Sequence, residues 1–269
     1  MKTALNRITM PQVPLRVFLE AAKTMGFDAV EVRNDLAGGT ILDSVQPQDV
    51  REICEEVGID IITINALQRF NDREEFLDAR VQEFRQLTDI ARDAGITAVV
   101  LCPVNDLDES RSYNERMADT VRALQVYGPV CRKSGVLAYL EPLGFPQCSL
   151  RFKKDAVAAI QQSGFEDCFK IVHDTFHHYL ADEQDIFPQM TGLIHMSGVL
   201  GGKAPSTITD DDRVLVTEGD VMENREQIDA LRAAGYDGYC AFECFSPEVQ
   251  KLDAAELAEG IHQSLSLLF

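Results

Sequence analysis

The sequence of 269 residues contains no apolar run near the roughly 18 residues that cross a bilayer. Its opening Met1-Lys2-Thr3-Ala4-Leu5-Asn6 has no apolar stretch of signal-peptide length. Neither a membrane span nor secretion is therefore expected, and the cytoplasm is the expected compartment. No Cys-x-x-Cys pair occurs among the seven cysteines, Cys54, Cys102, Cys131, Cys148, Cys168, Cys240 and Cys244. Their odd number and scatter fit reduced, mostly buried thiols. Positive charge is scarce: 25 Lys and Arg stand against 44 Asp and Glu, for a net charge of −19. Such a surface repels a phosphate backbone and an anionic membrane, so nucleic acid and lipid are not expected partners. No linker, low-complexity tract or shift of composition divides the chain. No Gly-x-Gly-x-x-Gly turn follows the first apolar run, which argues against an open, doubly wound dinucleotide fold.

What is present is a regular punctuation. Hydrophobic residues make up 45% and charged residues 26%, ordinary for a soluble protein with a sizeable core. Gly26, Gly58, Gly95, Gly135, Gly164, Gly192 and Gly235 each read as a helix stop before an apolar run, at spacings of about 28 to 43 residues. That spacing suits one strand, one helix and two loops. With the opening run Ala4-Leu5-Asn6-Arg7-Ile8-Thr9 there are eight predicted strands. Between them, apolar positions recur at helical intervals, as in Phe84, Leu87, Thr88, Ile90 and Ala91. Strands alternating with helices require parallel pairing and right-handed crossovers, and eight such units close without an exposed edge. The expected fold is a single (β/α)₈ TIM barrel of the α/β class spanning residues 1–269.

Reacting groups in such barrels sit at the carboxyl ends of the strands. The fifth predicted strand, Val136 to Leu140, ends in Glu141; the sixth, Phe169 to His173, ends in Asp174. The seventh carries His195 after Leu193-Ile194, and the eighth, Tyr239 to Phe242, ends in Glu243. Alternation along a strand groups Glu243 with Ala241, Glu141 with Leu137 and Tyr139, and Asp174 with Val172, all facing the barrel axis. His173 has the opposite parity and faces the helices; His178 is expected outside the mouth, and His262 on the last helix in surface or core. Three carboxylates and an imidazole converging on one axis would repel one another and lose hydration. One divalent cation resolves both, and three oxygens with one nitrogen suit Mn²⁺ or Zn²⁺, with Mg²⁺ or Co²⁺ as alternatives. The expected metal ligands are thus Glu141, Asp174, His195 and Glu243. His177 reaches toward substrate from the loop after the sixth strand.

At these residues the chain resembles the xylose isomerase-like barrel superfamily, in the branch holding tagatose epimerase, hydroxypyruvate isomerase and the inosose (2-keto-myo-inositol) isomerases of inositol catabolism. The similarity to the inosose isomerases extends over nearly the whole chain. The matching segments include Glu31-Val32-Arg33, Asn65 to Arg73, Leu140-Glu141-Pro142-Leu143-Gly144-Phe145, Asp174-Thr175-Phe176-His177, Asp211-Asp212-Arg213-Val214 and Phe242 to Glu248. The resemblance implies the same four metal ligands, with His177 and Arg213 on the substrate; Asn6 and Asn65 are added as further substrate contacts. The sequence departs from the family pattern at Ser197-Gly198, where aspartate is usual, at Val216-Thr217-Glu218-Gly219, and at His173. The implied reaction is a metal-assisted keto–hydroxy isomerisation or epimerisation of a sugar or cyclitol ketone, with Glu141 and Glu243 dividing the roles of base and acid. Proton transfer through an enediolate is expected over hydride shift, because only one metal's ligands are visible. A homo-oligomer is plausible for the family. Rival readings keep the barrel: an inosose dehydratase-like lyase, or a sugar-binding barrel without turnover, which the intact Glu141 and Glu243 speak against. Endonuclease IV shares the fold but uses more histidines than the five here.

Overall fold

The computed structural model describes residues 1–36 and 40–269. Among the described residues eight parallel strands close a barrel in sequence order. They are β1 (Lys2–Asn6), β2 (Ala29–Arg33), β3 (Asp60–Leu67), β4 (Ala98–Leu101), β5 (Leu137–Leu140), β6 (Phe169–Asp174), β7 (Thr191–Met196) and β8 (Tyr239–Phe242). The ring shuts where β1 pairs with both β2 and β8, Ala4 lying opposite Ala29 on one side and Ala241 on the other. Helices α1 (Leu15–Thr24), α2 (Pro47–Val57), α3 (Glu74–Ala94), α4 (Tyr113–Ser134), α5 (Lys153–Ser163), α6 (Thr175–Ala181), α7 (Asn224–Ala233) and α8 (Ala254–Leu268) follow the strands in turn.

The two faces of each strand divide the core in two. Inward residues, among them Ala4, Ala29, Ile62, Val172, Leu193 and Ala241, form a small cluster that fills the lumen, with Tyr139 and Tyr239 packed against it. Outward residues such as Ala138, Leu140, Ile194, Cys240 and Phe242 join the helix faces in a much larger cluster. Small residues inside and bulky ones outside follow from geometry, since the lumen narrows where the outer layer has room. On α3, Phe84, Leu87, Thr88 and Ala91 are buried as their spacing predicts. Capping boxes start α4 (Ser112 with Glu115) and α8 (Asp253 with Glu256), and satisfy amides that the helices cannot.

Two local expectations are corrected. The first strand stops at Asn6, and Arg7 to Thr9 form a 3-10 turn because the Asn6 side chain accepts from the Ile8 amide at 3.0 Å. Gly192 does not end a helix: it lies inside β7, while α6 ends at Asp182 in the left-handed region. Glycine is required there for space, since a Cβ would come within 2.8 Å of the Tyr139 ring and 2.9 Å of the Lys170 Cβ. All seven cysteines are unpaired, six of them buried. Among the described residues no helix is long and apolar enough to cross a membrane.

Candidate metal centre

Parallel register brings the ends of β5 to β8 together. Asp174 lies beside His195, and His195 beside Ala241, so Glu243 stands one step further toward the mouth. Glu141 follows β5 directly. One donor atom from each of Glu141, Asp174, His195 and Glu243 falls within a sphere in which no two are more than 4.8 Å apart, and all four side chains are buried. His195 Nδ1 is the nitrogen turned inward: it is 2.6 Å from Glu141 Oε1, 3.3 Å from Glu243 Oε2 and 3.9 Å from Asp174 Oδ2. Asp174 is fixed by its other oxygen, which caps α6 by accepting from the amides of Phe176 (2.7 Å) and His177 (3.1 Å). Three carboxylates and one imidazole, buried and convergent, fit a divalent cation by donor chemistry and by spacing.

Two guanidinium groups balance part of this charge. Arg213 Nη2 donates to Asp174 Oδ2 at 2.8 Å and to Glu243 Oε2 at 2.9 Å. Arg33 Nη1 donates to the other oxygen of Glu243 at 2.8 Å. Arg213 is clasped between the rings of Phe176 and Phe245, at 4.8 and 4.9 Å. Its Nε donates to Ser197 Oγ at 3.1 Å. The next residue, Gly198, forms an antiparallel bridge with Val214, the neighbour of Arg213. A Cβ at Gly198 would lie 2.6 Å from the Leu215 carbonyl oxygen, so the bridge needs glycine. Ser197-Gly198 thus adds one hydrogen bond and one backbone bridge to the contacts that hold Arg213.

These contacts set the protonation of the site. Burial pulls the His195 imidazole down, but Glu243, Glu31 and Glu141 outweigh it and hold the group well above its usual value. Burial, with Glu141 adding repulsion, pushes Glu243 up to about 7 against the opposing pull of His195 and Arg213. Burial acts the same way on Asp174, yet Arg213, His177 and His195 bring it down to about 2. Glu141 is also lowered, its burial overcome by His195. Burial lowers His177, which favours the neutral imidazole.

A pH dependence follows. The protons on His195 and Glu243 occupy lone pairs that a cation needs, so uptake must displace them. Both groups are raised, Glu243 to about 7 and His195 well above its usual value, so both favour their protonated forms in the metal-free protein as the pH falls through neutrality. Apparent zinc affinity is expected to rise with pH across the neutral range, by about tenfold per unit for each proton displaced. Competition against a colorimetric chelator on either side of neutrality measures this, and a flat profile would contradict it.

The cluster opens into a cavity of about 330 Å³, whose walls include Glu141, Glu243, His177, Arg213, Asn65 and Cys102. His177 stands between Phe145 and Phe176, with its buried Nδ1 unpartnered. Asn65 donates to Glu243 Oε1 at 3.0 Å. Asn6 lies deeper than the expected substrate contact: it is fully buried, its amide shared between Glu31 at 3.2 Å and Glu243 at 3.3 Å. His173 faces away, its Nε2 3.0 Å from Gln227 Oε1 on α7, and the His178 ring packs against it at a tilt, with centroids 4.9 Å apart. His262 is exposed on α8. Glu31, Arg33 and Cys102 were given no role at the site from the sequence, although Glu31 and Arg33 stand in a segment quoted for the resemblance. Glu31 and Arg33 lie on β2 with the inward parity of Ala29, a signal available in the run Ala29-Val30-Glu31-Val32-Arg33. Cys102, read as a plain buried thiol, donates to Glu141 Oε2 at 3.4 Å.

Fold and site together define a TIM-barrel protein with a buried metal-type cluster at the carboxyl ends of β5 to β8. The sequence profile described as "Xylose isomerase-like TIM barrel" matches residues 19–268, and the chain belongs to this family. Among curated relatives, an inosose isomerase of Bacillus velezensis is 26% identical over 264 residues, covering 95% of this chain and 92% of that protein. A crystal structure of a xylose isomerase domain containing protein from Salmonella typhimurium is 33% identical with a TM-score of 0.90, covering 99% of this chain and 97% of that one. The IolI protein, solved with a bound zinc atom, has the same TM-score of 0.90 at 23% identity, covering 100% of this chain and 98% of that chain, and shares the fold.

Proposed function

We propose that the protein is a divalent-metal-dependent isomerase or epimerase of a keto-polyol, with 2-keto-myo-inositol as the leading substrate. The observation that carries this reading is the convergence of two glutamates, an aspartate and a histidine within 4.8 Å, the two glutamates lining an open cavity. The inosose isomerase relatives support the substrate. Zinc or manganese is the favoured cation, held by Glu141, Asp174, His195 and Glu243. A cation bound there supplies Lewis-acid polarisation of a carbonyl and offsets enediolate charge.

The chain's own residues do the rest. Glu141 and Glu243 come from strands well separated around the ring and reach the skeleton from two directions, so one removes the α-proton and the other returns a proton to the enediolate. Arg213 keeps Glu243 and Asp174 in place, and His177 offers a neutral imidazole to a substrate oxygen. The cavity wall favours a neutral polyol over a sugar phosphate. Its arginines Arg33, Arg69 and Arg213 are each already paired with carboxylates, at 2.6 to 3.0 Å.

The test is turnover of 2-keto-myo-inositol by the zinc- or manganese-loaded protein in D₂O, followed by NMR and mass spectrometry. The expected result is an isomeric ketone carrying solvent deuterium on the carbon that received the proton. An unlabelled isomer would point to hydride transfer, loss of water would reassign the protein as a lyase, and binding without conversion would make it a sugar-binding barrel.

A further inference from the structure

Directly behind His195, on the side away from the cavity, lies a carboxylate that the proposed reaction does not use. Glu31 on β2 is fully buried. Its Oε1 accepts from Asn6 Nδ2 at 3.2 Å, and its Oε2 accepts from Thr63 Oγ1 at 2.5 Å. His195 Nε2 sits 3.1 Å from Oε1 and 3.2 Å from Oε2. The two imidazole nitrogens therefore have opposite surroundings. Nδ1 looks into the cluster of Glu141, Asp174 and Glu243; Nε2 looks at Glu31 alone of these carboxylates.

We infer that Glu31 is a positioning residue that accepts a hydrogen bond from His195 Nε2 and so presents Nδ1, with its lone pair free, to the cation. The inference deepens the metal-site reading above and rests on it. An imidazole binds a metal through a nitrogen that carries no proton, and a carboxylate on the other nitrogen fixes both the tautomer and the ring angle. Glu31 is itself over-determined: Thr63 and Asn6 hold its two oxygens, so it cannot turn from the ring without breaking two further hydrogen bonds. It is not a spare ligand, because the imidazole stands between it and the cluster. Its inward position on β2, a strand that supplies none of the four ligands, lets it orient a ligand donated by β7, three places round the ring.

The test uses the full chain with zinc as the probe and compares wild type, Glu31→Gln and Thr63→Val. Thr63→Val keeps the side-chain shape, removes the hydroxyl that holds Glu31, and provides a second readout if Glu31→Gln folds poorly. Zinc affinity is read by chelator competition, and the ring nitrogens by NMR of ¹⁵N-histidine-labelled protein. Wild type is expected to show zinc on His195 Nδ1 and a downfield, slowly exchanging proton on Nε2. Glu31→Gln is expected to bind zinc about 10- to 100-fold more weakly, with the Nε2 proton moved upfield. Thr63→Val should move both readouts in the same direction by a smaller factor. A purely structural Glu31 would lower the melting temperature without changing the Nε2 signal or the affinity of the folded fraction, and that result overturns the inference. So does zinc bound equally well by all three proteins. Failure of wild type to bind zinc would instead overturn the metal-site reading itself.

Discussion

Glu243→Gln is expected to reduce turnover by about 10²- to 10⁴-fold at saturating metal while leaving the circular dichroism of the barrel unchanged. The substitution removes the proton-carrying carboxylate and keeps the side-chain shape. Arg33 and Arg213 donate to different oxygens of Glu243, at 2.8 and 2.9 Å, so in the variant one of them keeps a carbonyl acceptor while the other loses its bond; Arg33 still has Asp35 and Arg213 still has Asp174 as partners. The loss should fall on kcat more than on KM, because in the proposed reaction the group acts on the α-proton and not on the distal hydroxyls. Steady-state rates with zinc or manganese at saturation decide the matter. Activity within a few-fold of wild type would remove Glu243 from the acid–base pair, and with it the proton-transfer reading.

The second large effect concerns stability. Arg213 is almost fully buried, and its guanidinium bridges two carboxylates that are themselves buried. Arg213→Ala takes from Asp174 its guanidinium partner and leaves Glu243 with Arg33 alone, and removing one partner of a buried pair costs about 3–5 kcal/mol. For a protein of this size that corresponds to a fall in melting temperature of about 6–20 °C. The effect should be largest in the metal-free protein. Zinc brings positive charge to the same carboxylates, so added zinc is expected to recover part of the loss. Calorimetry of wild type and variant, each with zinc and with chelator, measures both parts. Equal melting temperatures would mean that the carboxylates find another counter-charge when Arg213 is gone.

Much of this arrangement was legible in the sequence, for a physical reason. Strand parity is a period of two, and the inner and outer faces of a closed barrel differ sharply in what they accept. Ala241 and Glu243 could therefore be separated from Cys240, Phe242 and Cys244, and His173 from Asp174, without coordinates. The four ligand candidates followed because each stands at or beside the carboxyl end of its strand. What was not legible depended on neighbours distant in sequence. Gly192 reads like every other helix-ending glycine, and only the Tyr139 ring two strands away and Lys170 on the strand between show that it is needed for space. Asn6 looks like another strand-end contact, but its amide is engaged with Glu31 and Glu243 from the second and eighth strands. Glu31 and Arg33 carry the right parity, yet one charged residue in a strand gives no sign of which far residue it serves. Ser197-Gly198 looks like a defect in a motif until Arg213 is seen leaning on it.

The packed lumen below the site has a further consequence for how the molecule handles traffic. Ala4, Ala29, Val172, Leu193 and Ala241 close the barrel beneath the ligand cluster, with Tyr139 and Tyr239 packed against them. A reactant that reaches Glu141 and Glu243 from the mouth has no exit on the far side, so reactant and product share one doorway and one seat. If the proposed isomerisation holds, each ketone would compete with the other for that seat, and progress curves begun from either should bend early toward the same equilibrium mixture.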